Sequence, residues 1–145
     1  MAVFTPTGIN HLRITVSDLQ RSRTFYTEVL GFDVMADAPP PPDDPDHDIM
    51  EYNLQGGIIL TKGDLIFGLR PSPNAGTDRF DENRIGLDHV SFTVASLDEL
   101  RQAEAYFDAH AIPHGEITDL GASGLMVLEF RDPDNIQLEL SAVKG

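Results

Sequence analysis

Three residues in this chain, His11, His89 and Glu139, have the types and the spacing to do chemistry together. The two histidines stand seventy-eight positions apart in segments that read alike: G-I-N-H-L-R-I-T-V over 8–16 and G-L-D-H-V-S-F-T-V over 86–94. In each, a Gly opens the run, the His follows three residues later, and apolar residues recur at every second position up to a closing Thr-Val. Period-two alternation assigns Leu12, Ile14 and Val16 to one face of a strand and His11, Arg13 and Thr15 to the other. The second copy sets Val90, Phe92 and Val94 against His89, Ser91 and Thr93. Glu139 lies in I-Q-L-E-L-S, where Leu138 and Leu140 flank it, so it too leaves the apolar face. Two imidazoles and one carboxylate form a recognised set for a divalent cation, with coordination positions left open for a substrate. Such a cation polarises an oxygen or binds two neighbouring oxygens at once. A lone histidine or glutamate on a strand is more often hydrogen-bonded or solvated. The ligand reading rests on His11 and His89 holding equivalent places in equivalent strands.

The elements that must position these residues repeat in the same order. After the first strand, Ser17-Asp18-Leu19-Gln20 offers a Ser-x-x-Gln helix start. Leu19, Tyr26, Val29 and Leu30 recur at helical spacing, and Gly31 ends the run. Residues 32–38 read as a strand, and the Pro39–Pro45 stretch, with five prolines, reads as an exposed loop, an insertion rather than a lid. Ile49–Leu54, Ile58–Lys62 and Leu65–Arg70 are predicted as strands, with turns at Gly56-Gly57 and Gly63-Asp64. The polar stretch 71–85, holding Pro71, Pro73 and Gly76, reads as a linker. In the second half, Ser96-Leu97-Asp98-Glu99 is a capping box. Leu100, Ala103 and Phe107 give a helical stripe. His114–Asp119, Leu125–Phe130 and Ile136–Leu140 follow as strands, with Asp132-Pro133-Asp134-Asn135 as a turn. The expectation is an α+β fold, one domain over 1–145 made of two tandem β-α-β-β-β modules, about 8–70 and 86–142. Their curved sheets would form a half-open mixed sheet around a cavity, and the first module would carry an extra strand.

Composition narrows the partners. The formal net charge of −14 and pI near 4.4 exclude nucleic acid, whose phosphates need a basic face. The acids crowd at Asp37–Glu51 and Asp78–Glu82 and read as solvated loops, because no calcium-loop spacing with a Gly at the sharp turn occurs. No cysteine is present, which excludes disulfides, thiolate metal sites and thiol nucleophiles. No segment has the roughly 20 consecutive apolar residues of a membrane span, so no membrane role is expected and a cytoplasmic location is the default.

With these pieces in this order, the chain resembles the vicinal oxygen chelate superfamily, which includes glyoxalase I, extradiol ring-cleaving dioxygenases, fosfomycin-resistance enzymes, methylmalonyl-CoA epimerase and bleomycin-resistance binders. The matching residues are His11-Leu12-Arg13-Ile14-Thr15-Val16, Phe25-Tyr26 through Val29-Leu30-Gly31-Phe32, Leu87-Asp88-His89-Val90, and Phe130-Arg131-Asp132-Pro133-Asp134-Asn135 running to Leu138-Glu139-Leu140. The resemblance implies His11, His89 and Glu139 as metal ligands, with Glu139 also in the catalytic role. Glyoxalase I carries a fourth ligand, a Glu, on the last strand of its first half. Gly68 falls at that place here, and the remaining His-His-Glu set is similar to that of ring-cleaving dioxygenases and fosfomycin-type enzymes. The implied cofactor is a divalent ion, Fe or Mn ahead of Zn or Ni. The implied activity is a metal-dependent dioxygenase, lyase or isomerase acting on a small substrate that chelates the metal through vicinal oxygens. A homodimer is implied, with the site within one chain or shared by two. The alternative is a non-catalytic drug- or metabolite-binding protein, for which the acidic surface would suit a cationic drug.

Arg13 shares a face with His11, and Arg70 shares one with Gly68. Either guanidinium is suited to a substrate carboxylate or phosphate, the alternative being an ion pair with one of the many acids. Tyr52 has acid-base capacity but no spacing that places it at the site. His47, His110 and His114 read as surface residues.

Overall fold

The structure is a computed structural model and describes residues 2–145. The chain divides into two units, Met1–Asp78 and Arg79–Gly145. Each builds its own four-stranded mixed sheet, so the architecture is α+β with two modules.

The first module runs β1 (Leu12–Val16), α1 (Leu19–Glu28), β2 (Asp33–Ala36), α2 (His47–Leu54), β3 (Ile58–Lys62) and β4 (Leu65–Pro71), with sheet order β1-β4-β3-β2. β1 lies parallel to β4, and the other pairs are antiparallel. The alternation read from the sequence holds in β1, where Ile14 and Val16 are buried while Arg13 and Thr15 are exposed. Helix α1 starts one residue later than the Ser-x-x-Gln pattern implied. Asp18 has the extended backbone a cap requires, and its carboxylate accepts the Arg21 N–H at 2.9 Å. The Ser17 hydroxyl instead accepts from the Arg21 guanidinium at 2.9 Å. Helical spacing turns Ser22, Phe25 and Tyr26 inward. The Tyr26 ring lies 5.0 Å from Phe67, and Phe67 lies 5.5 Å from Phe32, an aromatic cluster that fixes α1 on one face of the sheet.

Residues 49–54, expected as a strand, form most of helix α2. The run I-M-E-Y-N-L has no sustained alternation; Ile49 and Tyr52 are exposed and Leu54 is buried, so it offers no apolar face for a sheet to cover. The first module therefore carries an extra helix, not an extra strand. Gln55 ends α2 in the left-handed region at φ 51°. Glycine is then obligatory at position 57, because a Cβ there would sit 2.1 Å from the Leu69 carbonyl oxygen. At the other end, His47 Nδ1 donates to the Pro40 carbonyl at 2.6 Å, which half-buries His47 and ties the proline loop to the helix start.

The second module repeats the plan with β5 (Val90–Thr93), α3 (Leu97–Ala109), β6 (Thr118–Asp119), a short 3-10 turn at Gly121–Ser123, β7 (Leu125–Arg131) and β8 (Gln137–Val143). The sheet order is β5-β8-β7-β6, with β5 parallel to β8. The capping box forms: Ser96 Oγ accepts from Glu99 N at 3.3 Å, and Glu99 Oε2 accepts from Ala95 N at 2.9 Å. Phe107 of α3 stacks on Phe130 of β7 at 4.7 Å, above fully buried Leu128, Leu138 and Ala142. The strand expected over 114–119 reduces to Thr118–Asp119 plus a single bridge between His114 and Phe130. His114 is half-buried, with Nδ1 donating to its neighbour's carbonyl, Gly115 O, at 2.7 Å, while His110 lies exposed.

Part of the stretch read as a linker is docked. Phe80 N donates to Asp134 O at 3.0 Å, and the Asn135 amide donates to Phe80 O at 3.0 Å. The Arg131 guanidinium grips both Glu82 carboxylate oxygens at 2.9 and 2.6 Å. This pairing holds the Glu82 carboxyl down at about 2, well below the usual range. No helix of the described residues is long and apolar enough to cross a membrane.

Candidate metal centre

In both modules a helix covers one sheet face with aromatic and aliphatic side chains. The opposite face is mixed, carrying Arg13, Ile59 and Ile66 in the first sheet and Val127, Glu129 and Glu139 in the second. In the second module, β5 and β8 run in parallel register with Ser91 beside Glu139, and β7 sets Glu129 against Glu139 from the other side. Ser91, Glu139 and Glu129 therefore line up across three strands on one face. His89 precedes β5 by one residue and belongs to the same face.

The Ser91 hydroxyl donates to Glu139 Oε1 at 2.7 Å. His89 Nδ1 donates to Asp88 Oδ1 at 2.5 Å. That bond, with further help from the charges of Glu139, Asp88 and Glu129, raises the His89 imidazole above its ordinary value against the opposing effect of burial. One imidazole thus stands in the field of three carboxylates. A cluster of that sign favours a cation.

In the first module His11 is exposed at the start of β1, and its Nδ1 donates to Asn10 Oδ1 at 2.8 Å. Its neighbour Arg13 faces Gly68 across the β1–β4 pair. The Arg13 stem fills the space over that glycine, since a Cβ at position 68 would lie 2.9 Å from Arg13 Cγ. The guanidinium reaches past it to the end of α2, where Nη1 donates to Asn53 O at 2.7 Å and Nη2 donates to Leu54 O. A cation at a helix C-terminus satisfies carbonyls that have no partner within the helix. Partial burial and the adjacent Arg70 charge hold Arg13 below its ordinary value. The Arg70 side chain makes no hydrogen bond or ion pair among the described residues. Of the two arginines read from the sequence as substrate-binding, Arg13 is thus committed to helix carbonyls. Arg70 is the one without a partner.

The second module brings His89 and Glu139 together, and His11 holds the corresponding place in the first. Among the described residues no three His, Asp or Glu side chains are gathered into a cage. Imidazole and carboxylate are the ligand types that divalent cations take. Two participants were absent from the sequence reading. Glu129 was not within reach, since the β7–β8 connection takes five residues, whereas counting outward from the four-residue Asp132–Asn135 turn pairs Glu129 with Leu138. Nor were the helix-end carbonyls that hold Arg13, because α2 itself was read as a strand.

Comparison with known proteins agrees with this architecture. The chain is 28% identical to the uncharacterized protein YwkD of Bacillus subtilis (strain 168), over 92% of this chain and 94% of that one. It is 31% identical to glutathione transferase FosA of Serratia marcescens, over 92% of this chain and 79% of the relative. A solved glyoxylase/bleomycin resistance protein/dioxygenase domain from Frankia sp. EAN1pec is similar in fold, with TM-score 0.75 and 30% identity, over 96% of this chain and 99% of that one. Residues 8–140 match the family model of that same group, and the chain belongs to the Glyoxalase/Bleomycin resistance protein/Dioxygenase superfamily.

Proposed function

We propose that this protein is a metal-dependent enzyme acting on a small substrate that presents vicinal oxygens. His89 and Glu139 hold the divalent cation, and His11, the repeat equivalent of His89, completes the set, within one chain or between two copies of a homodimer. The observation that supports this reading is His89 in the field of Asp88, Glu139 and Glu129, two residues from Ser91, which is registered against Glu139. When bound, the ion supplies Lewis-acid polarisation of the substrate oxygens. Glu139 would hold the ion, with Ser91 orienting its carboxylate from the neighbouring strand. The likeness to a glutathione transferase and the absence of a fourth carboxylate at Gly68 favour addition or ring-cleavage chemistry over a glyoxalase I reaction. Arg70 receives an anionic group of the substrate, because its guanidinium fork has no partner of its own.

Metal analysis of the purified chain tests this. Stoichiometric Fe or Mn, Zn or Ni that disappears in His89→Ala and in Glu139→Ala supports the enzyme reading. Protein that stays metal-free after anaerobic reconstitution, yet binds a bulky cationic ligand, would overturn it in favour of a sequestering protein. With the metal in place, turnover is sought among catechols, α-keto hemithioacetals and epoxides. Arg70→Ala is expected to weaken acidic substrates without altering metal content.

A further inference from the structure

The chain holds 24 Asp and Glu against 10 Lys and Arg, so acids are at hand for almost any cation. Arg23 pairs with Asp37, Arg101 with Asp98, Arg131 with Glu82 and Lys144 with Asp119. Arg13 and Arg70 take no acid among the described residues, yet they stand next to each other. The β1–β4 register sets Arg13 against Gly68 and Thr15 against Arg70, which makes the two arginines diagonal neighbours on one face of the first sheet. The Arg13 head is bonded to the carbonyls of Asn53 and Leu54, which are dipoles and leave its charge uncompensated. The half-buried Arg70 side chain has no partner among the described residues, and neither has the Thr15 hydroxyl opposite it. Like charges held side by side on a sheet are destabilising, and here none of the many acids relieves them. An arrangement of that kind is relieved by an anion from outside.

We propose that Arg70, Thr15 and Arg13 form a site on the first module for a tetrahedral dianion, the phosphate of a monoester. The proposal rests on the assignment of Arg70 to an anionic group and names the class of that group. Arg70 supplies a planar fork that takes two oxygens of one phosphoryl group, and the Thr15 hydroxyl donates to a third. Arg13, kept at the end of α2, acts by its charge. A phosphoryl group carries close to two negative charges above its second pKa of about 6, and so matches two cations. A carboxylate or a sulfonate brings one charge and leaves half of the repulsion standing.

The test uses the full chain at about pH 8, where phenyl phosphate is a dianion. Phenyl phosphate, benzenesulfonate and benzoate are each titrated calorimetrically at one ionic strength. Benzenesulfonate has the same tetrahedral head with a single charge, and benzoate is planar with a single charge. An ion pair near the surface contributes up to about fivefold in affinity, so phenyl phosphate should bind about fivefold tighter than benzenesulfonate. Arg13→Met keeps the stem, removes the charge and should bring those two within about twofold of each other. Arg70→Ala should weaken all three probes by about tenfold or more, and Arg70→Lys should recover only part, because an ammonium lacks the fork. Thr15→Val should cost phenyl phosphate about threefold. Circular dichroism checks that each variant is folded; if Arg13→Met is not, the phosphate-to-sulfonate ratio on wild type decides. Benzenesulfonate or benzoate binding as tightly as phenyl phosphate, with all three lost in Arg70→Ala, overturns the proposal and leaves Arg70 as a receptor for singly charged anions. Binding of no probe, or binding that Arg70→Ala leaves unchanged, overturns both.

Discussion

Replacing Gly68 with alanine tests the contact between β4 and Arg13 by itself. The added methyl would meet Arg13 Cγ at 2.9 Å and Cδ at 3.3 Å, closer than carbon atoms pack. These atoms are near the base of the stem, so the guanidinium cannot simply swing its tip aside and keep both of its bonds to Asn53 O and Leu54 O. Hydrogen bonds to a charged donor contribute about 1.5–3 kcal/mol when sheltered. Arg13 is largely open to solvent, which brings each to ~1 kcal/mol and the pair to ~2 kcal/mol. Replacing a strand glycine recovers about 0.5 kcal/mol of backbone entropy. Gly68→Ala should therefore destabilise by about 1.5 kcal/mol in the wild-type background, and Arg13→Ala by ~2 kcal/mol. In the Arg13→Ala background the methyl has room, and Gly68→Ala should stabilise by about 0.5 kcal/mol, a coupling of ~2 kcal/mol between the sites. Urea unfolding followed by far-UV circular dichroism measures the four corners of the cycle. Hydrogen exchange at the end of α2, around Asn53 and Leu54, reports whether the loss is local. An equal cost for Gly68→Ala with and without Arg13 would refute the packing argument, and unchanged exchange in α2 would refute the capping role.

Two further outcomes follow from side chains away from the site. Ser22 is buried on the inward face of α1 with no hydrogen-bond partner for its hydroxyl among the described residues. Ser22→Ala removes that desolvated group and improves helix propensity, so it should stabilise by about 0.5–1 kcal/mol; a loss in thermal unfolding would show that the hydroxyl is serving an unrecognised partner. Glu82 has a folded value of about 2 against an ordinary 4.5, so its pairing with Arg131 contributes fully above pH 4.5 and is lost as pH falls towards 2. Glu82→Gln should flatten the acid limb of an unfolding-midpoint profile between those values, and an unchanged slope would mean another carboxylate dominates.

Much of the plan is legible in the sequence because it depends on local rules. Alternation in Leu12–Val16 and Val90–Val94 determines which side chains enter the core and leaves His11 and His89 on the other face. The capping box at Ser96 starts α3, and the repeated Gly-x-x-His segments declare the duplication. Glu139 needs no more than its place between Leu138 and Leu140. Residues 49–54 show where such rules stop. A short segment without clean periodicity takes its conformation from what surrounds it. Here Arg13 closes the helix by reaching across forty residues of sequence to Asn53 O. The roles of the two arginines depend on the same long-range contact, which occupies Arg13 and leaves Arg70 without a partner.

What the sequence determined by itself is the identity and the face of the candidate ligands, because strand period and residue chemistry are properties of neighbours along the chain. What the tertiary structure decided is which groups lie beside the Glu139 carboxylate and what charge surrounds His89. Strand register brings Ser91 and Glu129 to either side of Glu139, and the Ser91 hydroxyl bonds the Glu139 carboxylate across strands. Register and hydrogen-bond direction arise only when separate segments pack, so no reading of the segments one at a time contains them.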